Sequence, residues 1–243
     1  MVWNNPKIID LLIIFAIIIV VLATMSLYYN HTGKKRAAIL LELLVGIIEA
    51  DNPNLGGHSL YVHNLTMLIY RFMPYPQKLL IRERDLHYAA LLMDIGKLGI
   101  PYDIMEKSGK LDKEEWDIVK KHPDIGVRML GELPGLNKAL SYVLYHHERI
   151  DGTGYHQLKG DQIPLGARII AVADTYSALT MNRSYKATLS YAQAIAELRS
   201  AAGSQLDEGI VNCFCSIPMS RIQACMDDVR RKMKISSEHR KGS

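Results

Sequence analysis

The sequence predicts an all-α domain preceded by one N-terminal membrane-spanning helix. Three observations carry that prediction. Apolar residues recur at three- and four-residue spacing in most segments beyond residue 36, helix-start signatures precede several of these segments, and alternating runs of strand type are scarce. The 243 residues suit one globular domain plus a smaller element, and 49% hydrophobic with 22% charged residues is ordinary for a folded chain.

The first element is the run "LLIIFAIIIVVLATMSLYY", residues 11–29, which contains no charge. At about 1.5 Å per residue, a helix of that length approaches the ~30 Å hydrocarbon core of a bilayer. The run exceeds the ~7–15 apolar residues of a secretory signal and lacks a small-x-small cleavage site, so an uncleaved anchor over residues 1–33 is expected. Trp3 and the pair Tyr28-Tyr29 resemble interfacial aromatics, and Lys34, Lys35 and Arg36 outnumber Lys7. By the positive-inside rule, the expected product is a single-pass protein of the inner or plasma membrane with its domain in the cytoplasm.

From residue 34 to 230 the pattern is helical. "RAAILLELLVGIIEA", "LYVHNLTMLIYRFM", "DLHYAALLM", "LNKALSYVLYHH", "ARIIAVADTYSALT" and "YAQAIAELRSA" each keep helical spacing. Asp112 with Glu115 and Ser190 with Gln193 form capping-box pairs, and Pro123 suits the first turn of a helix. Residues 231–243 read as a basic, disordered tail too polar to pack. The formal charge of +4 lies largely in the run at 34–36 and in the tail, so a polymeric nucleic acid is not an expected partner, since it needs a basic face. The cysteines, Cys213, Cys215 and Cys225, are odd in number and match neither a disulfide framework nor a CxxC site. Reduced thiols are expected.

The polar residues gather between the helices. His58 stands at a helix start after two glycines, His122 at another, and His146-His147 at the mouth of the glycine-containing loop "ERIDGTGYHQLKG". Asp94 closes the apolar run "ALLM", and Asp174 sits inside an apolar helix. A buried carboxylate must be paired or coordinate a metal, and for Asp174 the competing partners are Arg168 and Arg183. Two imidazoles beside an acid are what a transition-metal site uses, but spacing alone leaves two readings open: one metal centre, or separate caps and ion pairs.

The order His58, "MDIGKLGIP", His122-Pro123, "HHERIDGTGY" and "PLGARIIAVADTYSALTMNRSYKA" resembles the HD-GYP family over residues 40–217. The resemblance implies an HD-type helical bundle that binds two or three iron or manganese ions and hydrolyses cyclic di-GMP. It also implies metal ligation by His58, Asp94, His122, His146, His147 and Asp174, with Asp94 bridging two ions and both Asp94 and Lys97 in catalytic roles. Lys97 would face the substrate phosphate, and Gly154 and Tyr155 would belong to the loop for which the family is named. Arg183 and Lys186 are further candidates for holding a phosphate or a guanine.

Departures from the family pattern qualify these expectations. The residue before the acid is Met93 where the family has histidine, and a thioether is a weak ligand for iron or manganese. One site, with His58, Asp94 and Asp174, is therefore expected to be weakened, while Asp94, His122, His146 and His147 keep the other intact. His87 lies about 10 Å along the helix from Asp94, and His63 points away from His58, so neither is expected to substitute. Asn54 replaces the glutamate of three-metal members, and His156 replaces the proline of the loop. The expected function is a membrane-anchored cyclic di-GMP phosphodiesterase impaired at one metal, with an inactive cyclic di-GMP sensor or an interaction domain as the alternatives. A homodimer through residues 11–50 is also expected, because the stretch after the anchor is unusually apolar.

Overall fold

The computed structural model describes residues 57–105, 107, 109–131, 135–181 and 188–241, with side chains to residue 234. The chain divides into two compact units, Met1–Leu43 and Leu44–Ser243. The first lies wholly outside the described residues, as do the expected anchor and dimer segment. Among the described residues, no helix is long and apolar enough to cross a membrane.

The second unit is built around α1, His58–Phe72, in which residues 58–63 and 65–69 are buried. A helix buried on nearly every face has neighbours all round it. It packs against α3 (Glu83–Leu92), α8 (Leu165–Thr180), α10 (Glu208–Cys215) and α11 (Met219–Lys241). The single turns α2, Tyr75–Lys78, and α4, Tyr102–Met105, fill connections. Helices α5 (Lys113–Val119), α6 (His122–Leu130), α7 (Asn137–Tyr145) and α9 (Tyr191–Ala201) complete the bundle. Helix α7 bridges α3, α6 and α8. The described residues contain no β-strand, only an isolated bridge between Ala202 and Leu206.

Both capping boxes form as the sequence predicts. Asp112 accepts from the backbone of Glu115 and Ser190 from that of Gln193, with each N3 side chain reaching back. Pro123 lies in the first turn of α6, where its missing N–H removes no helical bond.

The expected tail is corrected: α11 continues as helix through Lys241, past the boundary at 230. Its polar composition hides two helix-forming features. Ile222 and Val229 bury an apolar stripe, and Asp228 pairs with Arg231 at 3.2 Å and Lys232 at 3.3 Å, the three- and four-residue neighbours of a helix face. Asn64 of α1 donates to Cys225 O and Asp228 Oδ2, both at 3.2 Å, which ties α11 to the central helix.

Candidate metal centre

Helix α3 stops at Leu92, and Met93 caps it, 1% exposed. Asp94 then leaves helical geometry, at φ −100° and ψ 3°, and starts a 3₁₀ turn over Ile95–Gly99. The break explains why an apolar run ends on an acid: the carboxylate sits where the helix ladder is interrupted. In a 3₁₀ turn, residues three apart eclipse. Lys97 accordingly lies over Asp94, with Nζ 2.8 Å from Oδ2.

The turn rests on the start of α6. A Cβ added at Gly96 would collide with His122 O and lie 2.5 Å from the amide nitrogen of Gly126. Only a residue without a side chain permits this approach, which brings Asp94 Oδ1 to 3.3 Å from His122 Nε2. His146 caps the C-terminus of α7 and His147 follows it. Asp94, His122, His146 and His147 each offer a ligand atom, and these atoms lie within 4.8 Å of one another.

The donor set fits a cation. His122 Nδ1 donates to Val119 O at 2.8 Å and His146 Nδ1 to Val143 O at 2.6 Å, which leaves each Nε2 as the lone-pair nitrogen. Both Nε2 atoms are buried without a hydrogen-bond partner. Backbone carbonyls that fix the far nitrogen are the usual support of metal-ligating histidines. Burial lowers His146 to about 4 and holds His147 well below its ordinary value, so both rings are neutral ligands at neutral pH. Burial alone would raise Asp94, but Lys97 and the imidazoles of His122 and His58 outweigh it and hold the carboxyl well below the usual range.

His58 and Asp174 lie beside this group. His58 Nε2 is 3.1 Å from Asp174 Oδ1 and 3.8 Å from Asp94 Oδ2, and its Nδ1 bonds Ser177 Oγ at 2.9 Å. Burial opposes ionisation of Asp174, but the bond from His58 overrides it and keeps the carboxyl below its ordinary range. Arg168, one of the partners open to Asp174 on sequence, instead pairs with Asp161 at 3.1 Å and Asp207 at 2.7 Å. His63 and His87 bond each other, Nε2 to Nδ1 at 2.8 Å. Arg183 and Lys186 fall outside the described residues.

Tyr155 inclines over His147, with ring centroids 4.8 Å apart and planes at 37°. Its loop is held by a residue that the sequence pattern does not single out. Glu148 is buried and accepts from the N–H groups of His156 and Leu158, both at 2.6 Å. Gly154 permits the loop to close, since a Cβ there would lie 2.6 Å from Glu148 Cα and 2.8 Å from Arg149 N. His156 Nε2 reaches Asp124 of α6 at 3.3 Å, so the loop is also tied to the helix that begins at His122. The available signal was an acid directly after two histidines and ahead of a glycine-containing loop.

Part of this group lines a cavity of about 750 Å³. Its wall includes His58, Asp94, His122, His147, Asp174 and Tyr155, together with Lys97, Lys107, Lys110 and Trp116. The volume is that of a small-molecule site.

The sequence pattern of the family described as "HD domain" matches residues 42–210. A cyclic di-GMP phosphodiesterase of Vibrio cholerae is 37% identical over 187 residues, 72% of this chain and 38% of its own length. A 3'3'-cGAMP-specific phosphodiesterase of the same organism is 37% identical over 175 residues, 70% of this chain and 36% of its own length. The chain thus spans well under half the length of either relative. The solved structure of a cyclic GMP-AMP-specific phosphodiesterase from V. cholerae superposes with a TM-score of 0.57 over 80% of this chain and 53% of that one; at 19% identity it shares the fold. The break at Asp94, the paired histidines that follow α7 and the matched pattern lead to one assignment: the chain belongs to the HD domain family, with the motif order of its HD-GYP type.

Proposed function

We propose that the chain is a metal-dependent phosphodiesterase acting on cyclic di-GMP. The observation that carries this reading is the convergence of the ligand atoms of Asp94, His122, His146 and His147 beside a cavity that also presents Lys97. The names of the two Vibrio relatives support it, and the second keeps 3'3'-cGAMP as the neighbouring substrate choice. One carboxylate with three imidazoles suits a first-row transition ion, and iron or manganese is the reading adopted. A cation held there supplies Lewis acidity toward a phosphodiester and toward the water that attacks it.

The remaining roles fall to this chain's residues. Lys97 holds Asp94 ionised and presents a compact cation where phosphate charge builds up. His122 and His146, locked through Nδ1, keep the donor atoms in place without reorganising.

Met93 favours a second reading, an impaired or binding-only domain. It leaves His58, Asp94 and Asp174 as the donors of a second site, and His58 and Asp174 are already paired with each other. Hydrolysis of cyclic di-GMP by the full chain in detergent, compared with a Met93→His variant, decides between them. Turnover by the parent supports the phosphodiesterase. Turnover by the variant alone supports the binding-only domain. Anchoring through residues 11–29, a cytoplasmic domain and self-association through 11–50 complete the proposal, on the strength of the apolar run and its flanking charges.

A further inference from the structure

The sequence contains two tryptophans, Trp3 and Trp116. Trp116 is 47% exposed, although a side chain of this size is normally well covered. Trp116 is among the residues that line the cavity beside the metal donors Asp94, His122 and His147. Helix α5 accounts for the placement. Trp116 and Val119 are three apart on it and both line the cavity, and the carbonyl of Val119 fixes His122 Nδ1. One short helix therefore orients a metal donor and aims an indole into the same space.

The helix that carries the indole is tied down at its start. The capping box of Asp112 and Glu115 fixes the start of α5, and Glu115 Oε1 accepts from Lys107 Nζ at 2.6 Å. Lys107 also lines the cavity, with Lys110 and Lys97. Among the described residues Trp116 makes no ring-to-ring contact, whereas Tyr155 is already laid against His147. The cavity thus offers one unused aromatic face among three cations.

A planar apolar face beside clustered ammonium groups is the chemistry that recognises a nucleobase attached to a phosphodiester. We propose that Trp116 is the base-stacking platform of this site, receiving a purine of the substrate while the lysines face its phosphates. The inference rests on the cyclic dinucleotide reading above and adds to it the residue that grips the base. Stacking tolerates any base with a π-face. Trp116 therefore provides affinity for a cyclic dipurine and leaves the choice between guanine and adenine to other groups.

The test uses the full chain in detergent carrying Trp3→Phe, so that Trp116 is the single tryptophan and can be excited apart from the tyrosines, and a phosphorothioate analogue of cyclic di-GMP that resists hydrolysis. Binding is followed by calorimetry and by indole fluorescence, with inorganic phosphate as the control. The expected result is saturable quenching of Trp116 by the analogue and none by phosphate, and a Trp116→Ala variant that binds about 5- to 100-fold more weakly. Trp116→Phe, which keeps a stacking ring, is expected to retain most of the affinity. If calorimetry shows binding while fluorescence does not respond and Trp116→Ala binds like its parent, the platform is overturned and the functional reading stands. If the parent shows no binding heat, both are overturned.

Discussion

Lys97 Nζ stands 2.8 Å from Asp94 Oδ2, with the lysine exactly one 3₁₀ turn beyond the acid. This contact joins the local backbone to the chemistry, because the same break that exposes the carboxylate to the metal donors places a cation over it. Lys97→Met removes that cation. Turnover is expected to fall about 100-fold or more, on the scale of losing one preorganised charge from an active site, while metal content holds, since the lysine competes with the ion for Asp94. Metal analysis beside steady-state kinetics checks both halves; loss of the metal together with activity would assign Lys97 a structural role instead.

The close contact of the 3₁₀ turn with α6 makes a backbone prediction. Gly96→Ala drives a methyl group into His122 O and the Gly126 amide, and the two segments must separate. The variant is expected to lose several degrees of melting temperature and most of its metal, because Asp94 moves away from His122. Thermal unfolding with and without added manganese checks it.

The loop around Tyr155 depends on Glu148. Glu148→Ala leaves the part-buried N–H groups of His156 and Leu158 without this acceptor, a cost of about 2 kcal/mol. Denaturant unfolding should show the loss, and the Michaelis constant for the cyclic dinucleotide should rise, since Tyr155 is then no longer held against His147. An unchanged unfolding midpoint would show that water replaces the carboxylate.

Acid stability follows from the His63–His87 pair. Burial, and then His87 and Lys232, lower His63 to about 3, so the unfolded chain, at about 6.5, takes up its proton first. Between those values stability rises with pH and is lost as pH falls, by about 1.4 kcal/mol per pH unit for this one group. His146 contributes with the same sign. His63→Gln should therefore flatten the dependence of unfolding free energy on pH below 6.5 by roughly one proton, and an unaltered slope would contradict the assignment.

The sequence made several helices legible because each keeps apolar residues at three- and four-residue spacing: α1, α3, α7, α8 and α9 all fall on such segments. Both capping boxes were legible for the same local reason. Helix α11 was not, because its charges are balanced by neighbours one turn away, a pairing that composition conceals. Within the site, Asp94 and the histidines stood out as polar residues at the ends of apolar runs. Their convergence did not, since it depends on Gly96 admitting α6, a contact between segments distant in sequence. Glu148 and Trp116 were hidden because an acid in a loop and an aromatic on a helix are ordinary until their surroundings are known.

The central claim is that His122, His146, His147 and Asp94 hold a cation in this chain despite Met93. Metal content per chain, measured on anaerobically purified full-length protein and on His122→Ala and His146→Ala variants, tests it most directly. The account predicts close to one iron or manganese ion per parent chain and little in either variant. A parent that takes up no transition metal, or variants that bind it as well as the parent does, would contradict it.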